Sequence, residues 1–270
     1  MAELRIRIKN KAGEILAESF GEDEICLDYH KEYQEGDTVC FETSQPGRHY
    51  VLQADDALGE ALVYVTRPEV VYRIPFGEKR ISYSPKVFSG SGHLLTARTA
   101  GEEQVSCYRN LALNVMDQHG DPGCYPHASA NVETRGESVF AARNAIDGVK
   151  ANRSHGAWPF ESWGINRQDD AQLTLEFGRT VEIDKIVLCI RADFPHDNWW
   201  EKATFHFSDG SAETVSMKKS DKPHVFSFPP KKIEWLKLGE LIKADDPSPF
   251  PALTQIEVYG KDAVEPDHCI

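Results

Sequence analysis

The sequence has no stretch near the roughly 20 consecutive apolar residues that cross a bilayer; its apolar runs are short, such as Ile186-Val187-Leu188-Cys189-Ile190. It is also poor in positive charge. Thirty Lys and Arg against 43 Asp and Glu leave a formal net charge of −13. Such a surface repels phosphate backbones and anionic headgroups, so neither nucleic acid nor a membrane is an expected partner. The six cysteines, Cys26, Cys40, Cys107, Cys124, Cys189 and Cys269, form no Cys-x-x-Cys or other metal-type spacing. Several fall inside apolar strand patterns and read as reduced thiols of a cytoplasmic protein. The first nine residues alternate apolar with charged and lack the apolar core and cleavage site of a secretory signal. The expected location is therefore cytoplasmic, or secreted if a leader has been trimmed away. There is no Gly-x-Ser-x-Gly, His-Glu-x-x-His, phosphate-binding loop or dinucleotide fingerprint, and no repeat or low-complexity tract.

What the sequence does have is a period of two. Short alternating runs at 4–8, 14–19, 25–29, 38–42, 49–53, 61–66 and 70–74 are separated by turn residues, with almost no helical periodicity. That pattern predicts an all-β protein built of sandwiches. The polar stretch 96–104 interrupts it and sets the expected domain boundary: a first β-sandwich domain over 1–104, a second over 105–262, and a frayed tail over 263–270. Further strands are expected at 172–177, 183–190, 203–207, 235–238 and 255–259. One short helix is expected at 138–145, where Val139, Ala142 and Ala145 fall three apart.

The second half carries a run of motifs in a telling order: Asn110-Leu111-Ala112, Ala128-Ser129-Ala130, Asn144-Ala145-Ile146-Asp147-Gly148, Leu173-Thr174-Leu175-Glu176-Phe177-Gly178, Ile183-Asp184-Lys185-Ile186, Phe207-Ser208-Asp209-Gly210-Ser211 and Leu253-Thr254-Gln255-Ile256-Glu257-Val258-Tyr259-Gly260. In this order they resemble the discoidin-like, or coagulation-factor type C, domains over about residues 109–261. The resemblance implies an eight-stranded jelly roll of the galactose-binding-like fold, with binding loops at one end, similar to carbohydrate-binding modules. The fold carries sugar, lipid and protein binders alike, so the ligand has to be argued from residues. The first 104 residues match no family.

The resemblance also implies a structural Ca²⁺ ion in the loop 144–152. By position its ligands would be the Asp147 carboxylate, the Asn152 side chain and the Asn144 and Val149 carbonyls, an oxygen set suited to a hard cation. Gln255 stands where the family commonly completes the shell with a glutamate, and a neutral ligand there weakens binding. The plainer reading is that Asp147 shapes a turn ahead of Gly148.

Two aromatic loops suit a sugar, which offers apolar C–H faces beside hydroxyls. The first, 155–163, holds Trp158 and Trp163, one of which the resemblance assigns to the core. The second is Arg191-Ala192-Asp193-Phe194-Pro195-His196-Asp197-Asn198-Trp199-Trp200. Here Trp199 or Trp200 would be the platform, and Arg191, Asp193, His196 and Asp197 the hydroxyl partners. Four of the five tryptophans lie within these 43 residues. The alternative is that the adjacent indoles point in and out, one plugging the sandwich and one capping a contact. General acid and base groups exist in principle, at His196-Asp197 with Asp169-Asp170 or Glu161, but in an acidic chain their nearness in sequence signals little. His127 reads as a strand-start residue. Gln53-Ala54-Asp55-Asp56-Ala57-Leu58-Gly59-Glu60 reads as a solvated acidic connection.

The sequence therefore predicts a non-catalytic carbohydrate-binding protein, with loops 155–167 and 191–201 converging at one end of the second domain. The alternative is a structural or protein-interaction module whose aromatics are buried at a domain or subunit interface; a glycan-active enzyme is a third, less supported reading.

Overall fold

The computed structural model describes residues 1–121, 123–151, 156–192 and 198–263. The predicted all-β architecture is observed. In the N-terminal part, strands β1 (Glu3–Lys9), β2 (Ile15–Glu22), β4 (Thr38–Thr43) and β7 (Glu69–Arg73) form one sheet in the order β2-β1-β4-β7. Strands β3 (Glu24–Tyr29), β5 (Arg48–Gln53), β6 (Ala61–Val65) and β8 (His93–Thr99) belong to a second sheet. Period-two alternation does the sorting. In β1, Leu4, Ile6 and Ile8 are buried, while Arg7 points outward to Glu42 at 2.6 Å. The inward faces of the two sheets share one core with Phe41, Tyr50, Tyr72 and Leu95.

The polar stretch 96–104 does not interrupt the strands as predicted. Residues 96–99 complete β8, which pairs with both β3 and β5 and buries Leu95 and Ala97; only then does a one-turn helix, α1 (Glu102–Ser106), follow. Thr96 and Arg98 lie on its outer face, which the composition of the stretch alone does not reveal. Beyond it, β9 (Arg109–Asn110) pairs with the last strand. The chain then returns to the first sandwich. Met116 and Cys124 join its core, and β10 (Cys124–Tyr125) adds to the edge of β6.

Among the described residues the C-terminal sandwich has eight strands, the number the resemblance implies: β12 (Trp163–Gly164), β17 (Ala252–Asp262), β13 (Leu173–Arg191), β16 (His224–Lys243), β14 (Trp200–Phe207) and β15 (Ala212–Ser216) follow one hydrogen-bonded path in that order, with β11 (His127–Ala130) paired to β13 and β9 to β17. The strands β13 and β16, 19 and 20 residues long, change register between Glu176 and Val181 and again between Ile183 and Lys185. Such irregularities bend a strand sharply, and a second core of Trp163, Phe177, Ile186, Trp200, Phe205 and Leu236 fills the space enclosed.

The helix predicted at 138–145 is instead two 3₁₀ turns, Ser138–Phe140 and Ala142–Ile146, parted by an extended Ala141 (φ −71°, ψ 151°). A spacing of three places Val139, Ala142 and Ala145 on one face of a three-residue turn, which the structure uses in place of an α-helix. All five residues of the second turn are buried.

The two sandwiches meet through a charged cluster at the end of β17. Asp262 lies 2.9 Å from His49 Nε2, 3.1 Å from Arg109 and 2.8 Å from Arg179, whose guanidinium also covers Tyr64 at 5.3 Å. Burial alone would raise the Asp262 carboxyl; the His49 imidazole and the Arg179 guanidinium hold it well below the usual carboxylate range.

Candidate functional site

Strand register gathers the loops at one tip of the C-terminal sandwich. Arg191, at the end of β13, pairs with Ala252 at the start of β17; Trp163 pairs with Leu253, and Trp200 with Lys243 at the end of β16. The loops that follow or precede these residues are tied together. Arg191 Nη1 donates to the Phe160 carbonyl (2.7 Å), Asn198 Nδ2 to the Ser248 carbonyl (2.6 Å), and the Ala244 amide to the Trp199 carbonyl (2.9 Å). Over their described residues, the two aromatic loops thus lie at the same end.

Three of the expected sugar-contacting residues are sealed. Trp163 and Trp200 are both 0% exposed, 6.4 Å apart between ring centroids, and Trp163 Nε1 donates to the Val132 carbonyl at 2.9 Å. Neither indole can serve as a platform, because each fills the sandwich core and a pyranose cannot reach it. Arg191, at 1% exposure, faces inward onto a backbone carbonyl and is no free hydroxyl partner. Trp199 is half-buried: it packs against the same core and has the Lys219 ammonium 5.5 Å from its ring. Trp158 is the most open, at 38%. Trp163 and Trp200 pack within their own sandwich. Asp193, His196 and Asp197 lie outside the described residues.

The loop expected to hold Ca²⁺ is closed by the protein's own groups. Gln255 Nε2 donates to the Asn144 carbonyl (2.6 Å) and to Asp147 Oδ1 (2.7 Å), while Gln255 Oε1 accepts from the Gly148 amide (3.0 Å). Asp147 Oδ1 also accepts from the Val149 amide at 2.8 Å. Beside them the buried Arg143 guanidinium donates to Asn144 Oδ1 (2.9 Å) and the Asp117 carbonyl (3.0 Å) and lies 4.2 Å over the Tyr83 ring. Burial pushes the Asp147 carboxyl up to about 7, against the pull of Arg143. This arrangement does not fit a cation. The Gln255 oxygen is turned to the Gly148 N–H, which leaves the amide's N–H groups facing the two oxygens a metal would need. Asn152, the remaining expected ligand, lies outside the described residues.

At the same tip an open cleft of about 530 Å³ lies between the turn at 134–140, the turn at 164–167 and the loop 247–252. Its floor is apolar, made by the buried Phe140, Ile165, Pro251 and Ala252, and its rim carries Arg135, Asn166, Arg167 and the partly exposed Phe250. Gly164 permits this shape: a Cβ there would meet Thr134 Oγ1 at 2.6 Å. Arg167 lies over the Phe250 ring, 4.5 Å from its centroid. Arg135, Asn166 and Arg167 all have left-handed backbones (φ 54°, 49° and 61°), a conformation non-glycine residues seldom adopt and one that concentrates at functional sites. None of these residues was singled out from the sequence. The signal available was Pro247-Ser248-Pro249-Phe250-Pro251, a phenylalanine among prolines that cannot join a sheet ladder and is therefore presented by a loop.

The groups considered for catalysis do not gather here. His127 Nδ1 lies 2.7 Å from Asp117, both buried at the junction before β11. Burial works against its charge, and the Asp117 hydrogen bond raises the imidazole nonetheless. Glu161 is buried, whereas Asp169 and Asp170 are exposed, and none of the three lines the cleft. The acidic connection 53–60 is not simply solvated: Asp55 is 1% exposed and accepts hydrogen bonds from the Ala57 and Phe88 amides, with His93 at 2.9 Å. Among the described residues, no three His, Cys, Asp or Glu side chains are grouped to hold a metal.

No model of a known protein family matches the chain, and no curated protein matches it in sequence. Among solved structures it is similar to chitosan-binding module 1 of a chitosanase/glucanase from Paenibacillus sp. IK-5, at 18% identity over 57% of this chain and 100% of that one, with a TM-score of 0.40. It is similar to the family 32 carbohydrate-binding module of Clostridium perfringens NanJ, solved with galactose, at 20% identity over 49% of this chain and 91% of that one (TM-score 0.38). A fucose-binding module of Streptococcus pneumoniae, SpX-3, gives 14% identity over 57% and 98%, with a TM-score of 0.41.

Proposed function

We propose that the chain binds carbohydrate without transforming it, and that the site is the cleft between 134–140, 164–167 and 247–252. The observation that carries this reading is the pairing of Phe250 with Arg167 over an apolar floor, with Asn166 and Thr134 beside them. A pyranose needs an apolar surface for its C–H face and fixed donors and acceptors for its hydroxyls, and this cleft supplies both. Its described lining holds no carboxylate or histidine, so general acid–base hydrolysis has no residue to start from there. Trp158, exposed at the same tip, lies outside the cleft lining.

The test is a glycan array followed by calorimetric titration of the saccharides that bind. Phe250→Ala is expected to weaken binding about 10- to 100-fold, the range for an aromatic anchor, while leaving the melting temperature within about 2 °C. A chain that binds no saccharide, or a Phe250→Ala variant that binds as tightly as the parent, would sink the reading.

A further inference from the structure

The charge in the cleft runs against the charge of the molecule. In a chain of net charge −13, the charged side chains of the described lining are two arginines, Arg135 and Arg167. They are not equivalent. Arg135 is neutralised by Glu137, which it grips through Nε and Nη2 at 2.6 and 2.7 Å. Arg167 makes no ion pair among the described residues; its recorded partner is the Phe250 ring. The backbone holds it there. Asn166 and Arg167 form two successive left-handed steps, fixed by the Asn166 amide donating to Thr134 Oγ1 (2.9 Å) and the Gln168 amide to the Ile165 carbonyl (2.9 Å). The turn fixes where the Arg167 backbone sits at the rim, and its guanidinium lies over the Phe250 ring.

A guanidinium lodged over an aromatic ring keeps its N–H groups for a second partner, and its fork of donors matches a planar carboxylate better than single hydroxyls. Building on the carbohydrate reading, we infer that the cleft selects an acidic saccharide, a run of hexuronate units, with the sugar ring on Phe250 and the carboxylate paired with Arg167.

Trigalacturonate, triglucuronate and trimannuronate would be titrated into the full chain beside their methyl esters, which keep the skeleton and remove the charge. At least one acid is expected to bind 10-fold or more tightly than its ester, with the advantage shrinking as NaCl rises from 50 to 500 mM. Arg167→Asn should erase that advantage and keep the fold, because asparagine suits a left-handed backbone; Phe250→Ala should weaken acid and ester alike. Esters or neutral oligosaccharides that bind as well as the acids would overturn this inference and leave the carbohydrate reading standing. So would an acid preference that survives in Arg167→Asn, or a preference for 6-sulfated oligogalactose over the uronates. If neither acids, esters nor any neutral sugar bind, both fall together.

Discussion

Two side-chain pairs, one of two indoles and one of a phenyl ring with a guanidinium, occupy the same tip of the C-terminal sandwich and differ in exposure. Trp163 and Trp200 face each other inside the core with no exposed surface, whereas Phe250 sits at the cleft rim with Arg167 over it. The larger rings hold the sandwich closed; the smaller one is partly exposed at the cleft we propose as the site. What separates them is register. Trp163 and Trp200 sit on strands, at positions whose side chains turn inward, and Phe250 sits in a proline-bounded loop that no ladder orients. Size and apolarity therefore do not decide exposure here; position on or off a strand does.

The comparison breaks most sharply under mutation. Trp163→Ala or Trp200→Ala is expected to cost about 3–5 kcal/mol of stability, the range for emptying a large core site, read by denaturant unfolding. A milder pair sharpens it. Among the described residues Trp200 Nε1 is buried with no hydrogen-bond partner, whereas Trp163 Nε1 donates to Val132. Trp163→Phe should therefore cost roughly 1 kcal/mol more than Trp200→Phe, the worth of one buried hydrogen bond. If either Trp→Ala variant kept full stability and lost only ligand binding, the division of roles between the two pairs would be wrong.

The junction between the sandwiches gives the next largest effect. Asp262 is held below the usual carboxylate range, so its contribution is complete above about pH 4 and lost as pH falls through its folded-state value. His49 is lowered by burial, so its neutral form is favoured in the fold and acidification below about pH 6.5 favours the unfolded chain. Both signs agree: the melting temperature should fall from pH 7 to pH 3. Asp262→Asn, which strands the Arg109 and Arg179 charges, should lose roughly 2 kcal/mol at pH 7 and show a shallower acid slope below pH 4. A slope identical to the parent's would count against this cluster as the tether.

The smallest expected effect is the one at the closed loop. Because Gln255 turns N–H groups toward the Asn144 and Asp147 oxygens, 5 mM CaCl₂ or EGTA should leave the melting temperature unchanged within about 1 °C. Gln255→Glu, which exchanges that donor for an oxygen, should acquire a Ca²⁺-dependent rise. A parent chain stabilised by Ca²⁺ would show that the amide yields to the ion.

Alternation made the strands of the first sandwich legible, since Leu4, Ile6 and Ile8 could lie only on one face. The motifs from Asn110 to Gly260 made the jelly roll legible. Burial was less so: Trp199 and Trp200 are indistinguishable by type, and only the packing of Trp200 against Trp163 in the core shows which turns fully inward. The cleft was hidden because its parts come from three loops up to about 115 residues apart, joined by register and by the left-handed turns at Arg135 and Asn166. The Gln255 clamp was half legible. The missing charge could be read from the sequence; the direction in which the amide points could not.

The most direct test of the whole account is an amide chemical-shift titration of the full chain with whichever saccharide the glycan array yields. The account predicts that the largest shifts fall on Thr134, Gly164, Asn166, Arg167 and Phe250, with Gly148 and Val149 silent. Shifts confined to the first sandwich, or to the closed loop around Asp147, would contradict it.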